Sequence, residues 1–207
     1  MDQLEVQETI KKIKRNFSLR MNGVASASMR EKGIGGYLNW GVGFPVLRGW
    51  AEEYGKDYEL AAALWKENVR ECKILSTLIM PAGRMDGEMM TVWLEQTTTQ
   101  EIAEYAAYNL FQYVEGASDY AFIWLASADT LAQVCGYNML AGLFRRGAKP
   151  ADRDVNEFVD QAVTALSDES AGVRHAANNC LGVFASLGGM QKKIVESALK
   201  RLEPGQG

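Results

Sequence analysis

Apolar residues recur along this chain at three- and four-residue intervals, and sustained alternation is absent. The pattern is sharpest between Asn39 and Met80. Pro45 stands where a first-turn proline loses no hydrogen bond. Val46, Leu47, Trp50, Ala51 and Tyr54 follow at helical spacing, and Gly55 offers a left-handed stop. Asp57 is placed to cap a second helix that carries Leu60, Ala61, Leu64 and Trp65 on one side. Asn68 is placed to cap a third, with Val69, Cys72, Ile74, Leu75, Leu78 and Ile79 apolar and Pro81 ending it. Three amphipathic helices joined by two- or three-residue links must stack on one another, which is the pattern of an α-solenoid. The same reading predicts helices over 2–15, 20–31, 45–54, 58–66, 69–80, 86–95, 99–114, 118–127, 129–145, 152–166, 170–187 and 190–202.

The longest glycine-rich connection runs from Gly33 through Ile34, Gly35 and Gly36 to Gly43. It reads as an open link within a single domain, 1–207, between an N-terminal helical pair (1–35) and stacked repeats (36–207). No strand precedes these glycines, so they form no phosphate-binding fingerprint. Near the C-terminus, Asp168, Val173-Arg174, Ala176-Ala177 and Leu181 are similar to the second helix of a HEAT repeat. There small residues permit close packing, and the Asp and Arg tie the repeat's turn to neighbouring helices. The expected fold class is therefore all-α, a HEAT-like α-solenoid whose paired helices bury a core by stacking.

Composition narrows the function classes. The 207 residues are 47% apolar and 23% charged, ordinary globular values that supply ample core. No run of 18 apolar residues exists, so no membrane span is expected. The N-terminal stretch reads as an amphipathic helix, without the apolar core of a signal peptide. Cys72, Cys135 and Cys180 are far apart and on apolar faces, as reduced core thiols of a cytoplasmic protein would be. Net charge is −4, unevenly spread: residues 1–84 carry +3, residues 85–144 carry −8 with no Lys or Arg at all, and residues 145–207 carry +1. A stretch without basic side chains cannot neutralise phosphates. Any nucleic-acid surface must come from the two ends, and the acids otherwise read as a solvated outer face.

Gly41, Val42, Phe44, Pro45, Leu47 and Arg48, then Gly55-Lys56-Asp57, then Leu64-Trp65 resemble the entry helices of bacterial DNA alkylation repair proteins of the AlkD-like type. The resemblance covers residues 20–80 and is architectural beyond them. It implies removal of a cationic alkylated purine from DNA, whose good leaving group makes little acid catalysis necessary. A carboxylate that stabilises the oxocarbenium-like sugar, a tryptophan four residues away beside the lesion, and a phosphate-binding arginine two helices on would complete the site. This chain departs from each. The helix read over 99–114 has no Trp and no Asp, and Ile102 with Ala106 or Ala103 with Ala107 stand at the four-residue spacing. Cys135 and Gly136 stand where the arginine is expected, and Asn179 to Gly182 replace a Trp-x-Leu-Arg pattern. No catalytic residue is carried over. Glu101 and Glu104 are the only carboxylates near enough to substitute, and they read first as exposed acids in a helix's first turn.

Other chemistries find less. His175, the sole histidine, lies inside the HEAT-like word beside Arg174, and no metal-ligand spacing or cofactor motif is present. Met80, Met85, Met89 and Met90 read as core filling before an adaptable patch. Trp40, Trp93, Trp124, Tyr105, Tyr108 and Tyr113 read as core before base-stacking platform, because adjacent positive charge is missing. Arg48, Arg145, Arg146, Lys149 and Arg174 are the candidate DNA-binding residues. Three functions follow: a divergent DNA-binding member of the resembled family with weak or absent alkylpurine glycosylase activity; a non-catalytic module holding a protein or basic ligand in an acidic groove; or a glycosylase working through Glu101 or Glu104. The expected partner is duplex DNA or, in the second case, a protein.

Overall fold

The computed structural model describes residues 2–32, 35–148 and 152–202. These form twelve α-helices: α1 (Gln3–Leu19), α2 (Gly23–Glu31), α3 (Phe44–Tyr54), α4 (Tyr58–Trp65), α5 (Arg70–Ile79), α6 (Gly87–Glu95), α7 (Gln100–Asn109), α8 (Ala117–Leu125), α9 (Thr130–Arg145), α10 (Asp152–Ala165), α11 (Ala171–Ser186) and α12 (Gly189–Leu202). Single 3₁₀ turns fill Ala82–Arg84 and Phe111–Tyr113. The β pairing among the described residues is one isolated parallel bridge, Leu38 to Val69. The helices gather into two compact units, Met1–Glu115 and Gly116–Gly207.

In the first unit α4 and α5 pack on each other, α1 packs on α4, and α3 and α7 pack on α5. Ile13 and Phe17 of α1, Leu47 of α3, Leu60, Leu64 and Trp65 of α4, and Ile74 and Leu75 of α5 are all sealed from solvent. Each such side chain contributes about 2 kcal/mol of apolar burial. Helix starts follow the side chains: Asp2, Asn22, Asp57 and Asp86 each accept a backbone N–H three residues on.

Gly55-Lys56-Asp57 works as one joint. Gly55 adopts φ 70°, ψ −166°, a region essentially restricted to glycine. Lys56 Nζ then donates to the carbonyls of Leu78 (2.8 Å) and Met80 (3.2 Å) at the far end of α5, and burial lowers its pKa. Asp57 caps α4 through Leu60 N–H at 2.8 Å, while its own N–H donates to Ile79 at 3.0 Å. Three consecutive residues thus end α3, begin α4 and satisfy orphan carbonyls of α5.

In the second unit α9 packs on α8 and α11, and α10 and α12 pack on α11. Its centre is a ring triangle of Phe144, Phe158 and Phe184, with centroids 5.3–5.4 Å apart and tilted or edge-on contacts. Gly136 sets the α8–α9 approach, because a Cβ there would lie 2.9 Å from the Ala121 carbonyl oxygen.

Three expectations need correction. Val69, not Asn68, occupies the cap position of α5, and no side chain caps it. Leu38 stands in: its N–H donates to the Asn68 carbonyl (3.1 Å) and its carbonyl accepts Arg70 N–H (2.9 Å). The helix expected over 99–114 ends at Asn109, where Leu110 turns to φ −136°, ψ −62° and a 3₁₀ turn follows. Finally, the described end of the glycine-rich link is closed rather than open, as set out below.

Candidate functional site

Residues 38–42 form a strap most of whose peptide groups have hydrogen-bond partners, chiefly in or just before α2 and α5. Besides the Leu38 pair, the Asn39 carbonyl accepts the Ser26 hydroxyl (2.8 Å), and the Trp40 carbonyl accepts Asn22 N–H (2.9 Å). Trp40 N–H (3.1 Å) and Val42 N–H (3.2 Å) both donate to Glu71 Oε1. Gly41 N–H reaches Asn39 Oδ1, and the Val42 carbonyl accepts Arg70 Nη1 at 3.3 Å. Gly41 is required here: its φ is 72°, and a Cβ would lie 2.4 Å from the Asn22 carbonyl oxygen. Bringing this backbone against α2 and α5 is tolerated because most of its polar groups are answered.

Glu71 is fully enclosed, and its second oxygen, Oε2, has no hydrogen-bond partner among the described residues. Beside it, Arg70 is 4% exposed and meets Glu101 fork to fork, Nε to Oε2 at 2.7 Å and Nη2 to Oε1 at 2.6 Å. Burial works against the charged guanidinium. The hydrogen bonds and charge of Glu101, with the charge of Glu71, outweigh it and leave the Arg70 pKa raised. Tyr105, one turn beyond Glu101, has its hydroxyl pKa raised by burial and by the Glu101 charge, and its ring stacks on Phe44 at 4.9 Å.

Glu101 is therefore not the exposed first-turn acid that the sequence suggests. Its side chain is 19% exposed and both oxygens are engaged by an arginine 31 residues earlier. Glu104 is half-buried and accepts Gln100 Nε2 at 2.7 Å. The two glutamates share α7 but not an environment.

The candidate DNA-binding arginines fall in both units. Arg48 is exposed on α3, in an i,i+4 pair with Glu52 at 3.4 Å. Arg145 and Arg146 are exposed at the end of α9, with Arg145 Nη2 3.3 Å from Asn179 Oδ1. Arg174 is half-buried, and its Nη1 donates to the carbonyls of Asp168 (2.6 Å) and Glu169 (2.9 Å), the turn-tying contact that the HEAT-like word implies. Lys149 lies outside the described residues. His175 is exposed.

The aromatic candidates are mostly structural. Trp93 and Trp124 are each 5% exposed, Trp93 stacked on Trp65 and Trp124 edge-on to Tyr120. Trp40 is half-buried with its ring 5.7 Å from Phe17. Tyr108 and Tyr113 are about half exposed, at 54% and 51%. Met80, Met85 and Met90 fill core. Cys72, Cys135 and Cys180 are free and buried, and burial pushes all three thiol pKa values up, away from thiolate chemistry. Among the described residues no group of three His, Cys, Asp or Glu side chains could hold a metal, and no helix is long and apolar enough to cross a membrane.

Reading the sequence alone missed Arg70, Glu71 and the basic run on α1. The first two gave no signal, since neighbouring opposite charges are commonplace. The third was visible: residues 9–30 hold six Lys or Arg and no acid.

The described residues form helices and no strand, the all-α architecture of a HEAT-like repeat protein, and comparison with known proteins agrees. The model of the DNA alkylation repair enzyme family matches residues 9–202, so the chain belongs to that family. Among solved structures it is similar to a member of a new family of proteins related to the HEAT-like repeat DNA glycosylases with affinity for branched DNA structures. The TM-score is 0.77 at 16% identity, over 91% of this chain and 82% of that one. At that identity the likeness shows the fold. No curated protein matched.

Proposed function

We propose that this protein binds DNA, branched DNA in preference to plain duplex, with little or no excision of alkylated bases. The Arg70–Glu101 fork carries the reading. Excision would require a carboxylate free to face a developing sugar cation. Glu101 is the nearest candidate, and its charge is already matched by a guanidinium within the fold. Family membership supports a DNA-related role, and the structurally similar protein comes from a family with affinity for branched DNA. Exposed Arg48, Arg145 and Arg146 are the proposed phosphate contacts, with Lys149 added on the sequence alone and Arg174 shared with its structural role.

The test is one sample taken through two assays: release of alkylated purine from methylated duplex, and low-salt binding to four-way junction and linear duplex. The expected result is no release above background, tighter junction binding, and affinity falling steeply with salt as counterions are displaced. Replacing Arg145 and Arg146 together lowers both the affinity and the salt slope. Release that Glu101→Gln or Glu104→Gln abolishes would overturn the reading in favour of a working glycosylase. Absence of DNA binding, with capture of a basic ligand, would favour the acidic-segment module.

A further inference from the structure

The turn between α1 and α2 presents apolar side chains that the fold has no use for. Val6, Ile10, Ile13 and Phe17 fill the buried stripe of α1, so the residues beyond them face away. Ser18 to Val24 are seven consecutive exposed residues, with Leu19 at 76%, Met21 at 61% and Val24 at 84%. Three large apolar groups within six residues are an unusual exposure for a surface turn.

The backbone of the corner is also tied down by hydrogen bonds. Arg20 N–H donates to the carbonyls of Asn16 and Phe17 at 3.1 Å, and the Asn22 side chain caps α2 through Ala25 N–H at 3.0 Å. Asn22 N–H is itself held by the strap at Trp40. The apolar groups therefore sit on a hydrogen-bonded backbone, which limits the main-chain order lost on binding.

Its surroundings are basic. Lys11, Arg15 and Leu19 recur at i,i+4 along one face of α1, so two cations lead directly to the apolar tip. Lys11, Lys12, Arg15 and Arg20 are exposed, and no acidic side chain among the described residues pairs with them, whereas Lys14 is engaged by Glu67 at 2.7 Å. Apolar side chains beside cations suit a polyanion that offers unstacked base faces. Proteins that kink DNA insert such wedges between base steps while nearby cations hold the phosphates.

We infer that the α1–α2 corner is a wedge, with Leu19 and Met21 entering DNA where stacking is interrupted and Arg15 and Arg20 holding the flanking phosphates. This rests on the DNA-binding reading above and supplies a reason for preferring branches, since a branch point has already lost the stacking that a wedge must break.

The experiment places 2-aminopurine at the branch point of a four-way junction and follows its fluorescence, in parallel with binding of the unlabelled junction and of linear duplex. The wild-type chain brightens the probe. Leu19→Ser with Met21→Ser, both at exposed positions and checked by thermal melting, loses the brightening. That variant weakens junction binding about tenfold while leaving linear duplex nearly unchanged, the scale of one lost base contact. Arg15→Ala with Arg20→Ala weakens both DNAs and lowers the salt slope by about two. Junction binding without brightening, or brightening that the Ser variant keeps, overturns the wedge and leaves DNA binding standing. No binding to either DNA overturns the underlying reading and the wedge with it. A wild-type dimer that the Ser variant turns to monomer assigns the corner to self-association and also overturns the proposal.

Discussion

Lys73 stands over the indole of Trp65, its Nζ 4.5 Å from the ring centroid, and donates to the same residue's carbonyl oxygen. The Tyr37 ring, from the glycine-rich link, lies 5.6 Å away, and Trp65 itself stacks on Trp93 with centroids 4.1 Å apart and planes 6° off parallel. A lysine 5% exposed is thus held among aromatic faces that favour its charge, within a burial that disfavours it.

Burial wins: the Lys73 pKa falls from 10.5 to about 8. Between those values the unfolded chain binds more protons than the folded one, so the Lys73 contribution to stability rises with pH through that window. The buried thiols act oppositely, because above their ordinary pKa of 9.0 only the unfolded chain loses protons. The wild-type curve therefore mixes both effects, and the comparison with Lys73→Met separates them. Urea unfolding at pH 7 and pH 10 is expected to move in the wild type's favour relative to that variant. A pH-independent difference would show that the amine is not depressed.

The fork between Arg70 and Glu101 gives a stability prediction. Glu101→Ala leaves a guanidinium with 4% exposure short of its main partner. The expected loss is about 3 kcal/mol. Arg70→Met combined with Glu101→Ala should lose less than the two single changes added, because no unpaired buried charge remains. Chemical denaturation of all four proteins reads the coupling.

Gly55 and Gly116 both have positive φ, but their ψ values differ, −166° and 8°. The first lies in territory that side chains avoid, the second in the left-handed helical region that asparagine tolerates. Gly55→Ala is expected to lose about 2–3 kcal/mol, and Gly116→Asn well under about 1 kcal/mol. Equal losses in thermal unfolding would refute the distinction.

Gly136→Ala tests close packing rather than backbone conformation. Its Cβ would meet the Ala121 carbonyl oxygen at 2.9 Å and Leu125 N at 3.2 Å, both main-chain atoms that cannot rotate away. Separation of α8 from α9 is expected to lose about 2 kcal/mol. An unchanged denaturation midpoint would show that the pair has slack.

What the sequence made legible was local. Pro45, Gly55 and Asp57 announced helix ends because their effects depend only on their own backbone, and α3 and α4 begin and end within a residue of expectation. The HEAT-like arginine, Arg174, was legible for the same reason, since it reaches six residues back. The failures were tertiary. Asn68 resembled a cap because nothing in the sequence shows Leu38 laid across the end of α5. Leu110 breaks its helix without a glycine or proline to mark it. Glu101 resembled a solvated acid because its partner, Arg70, lies two helices away on α5.

The strap also sets a clock. By secondary structure Trp40 and Val42 are loop residues, whose amides would ordinarily exchange with solvent hydrogen in fast local motions. Here both amides end on one carboxylate oxygen of Glu71, a fully enclosed residue in the first turn of α5. Neither can open while that turn is intact. Two loop positions should therefore share the slow exchange rate of a core helix, so the glycine-rich entry of this fold behaves kinetically as an outlying part of α5.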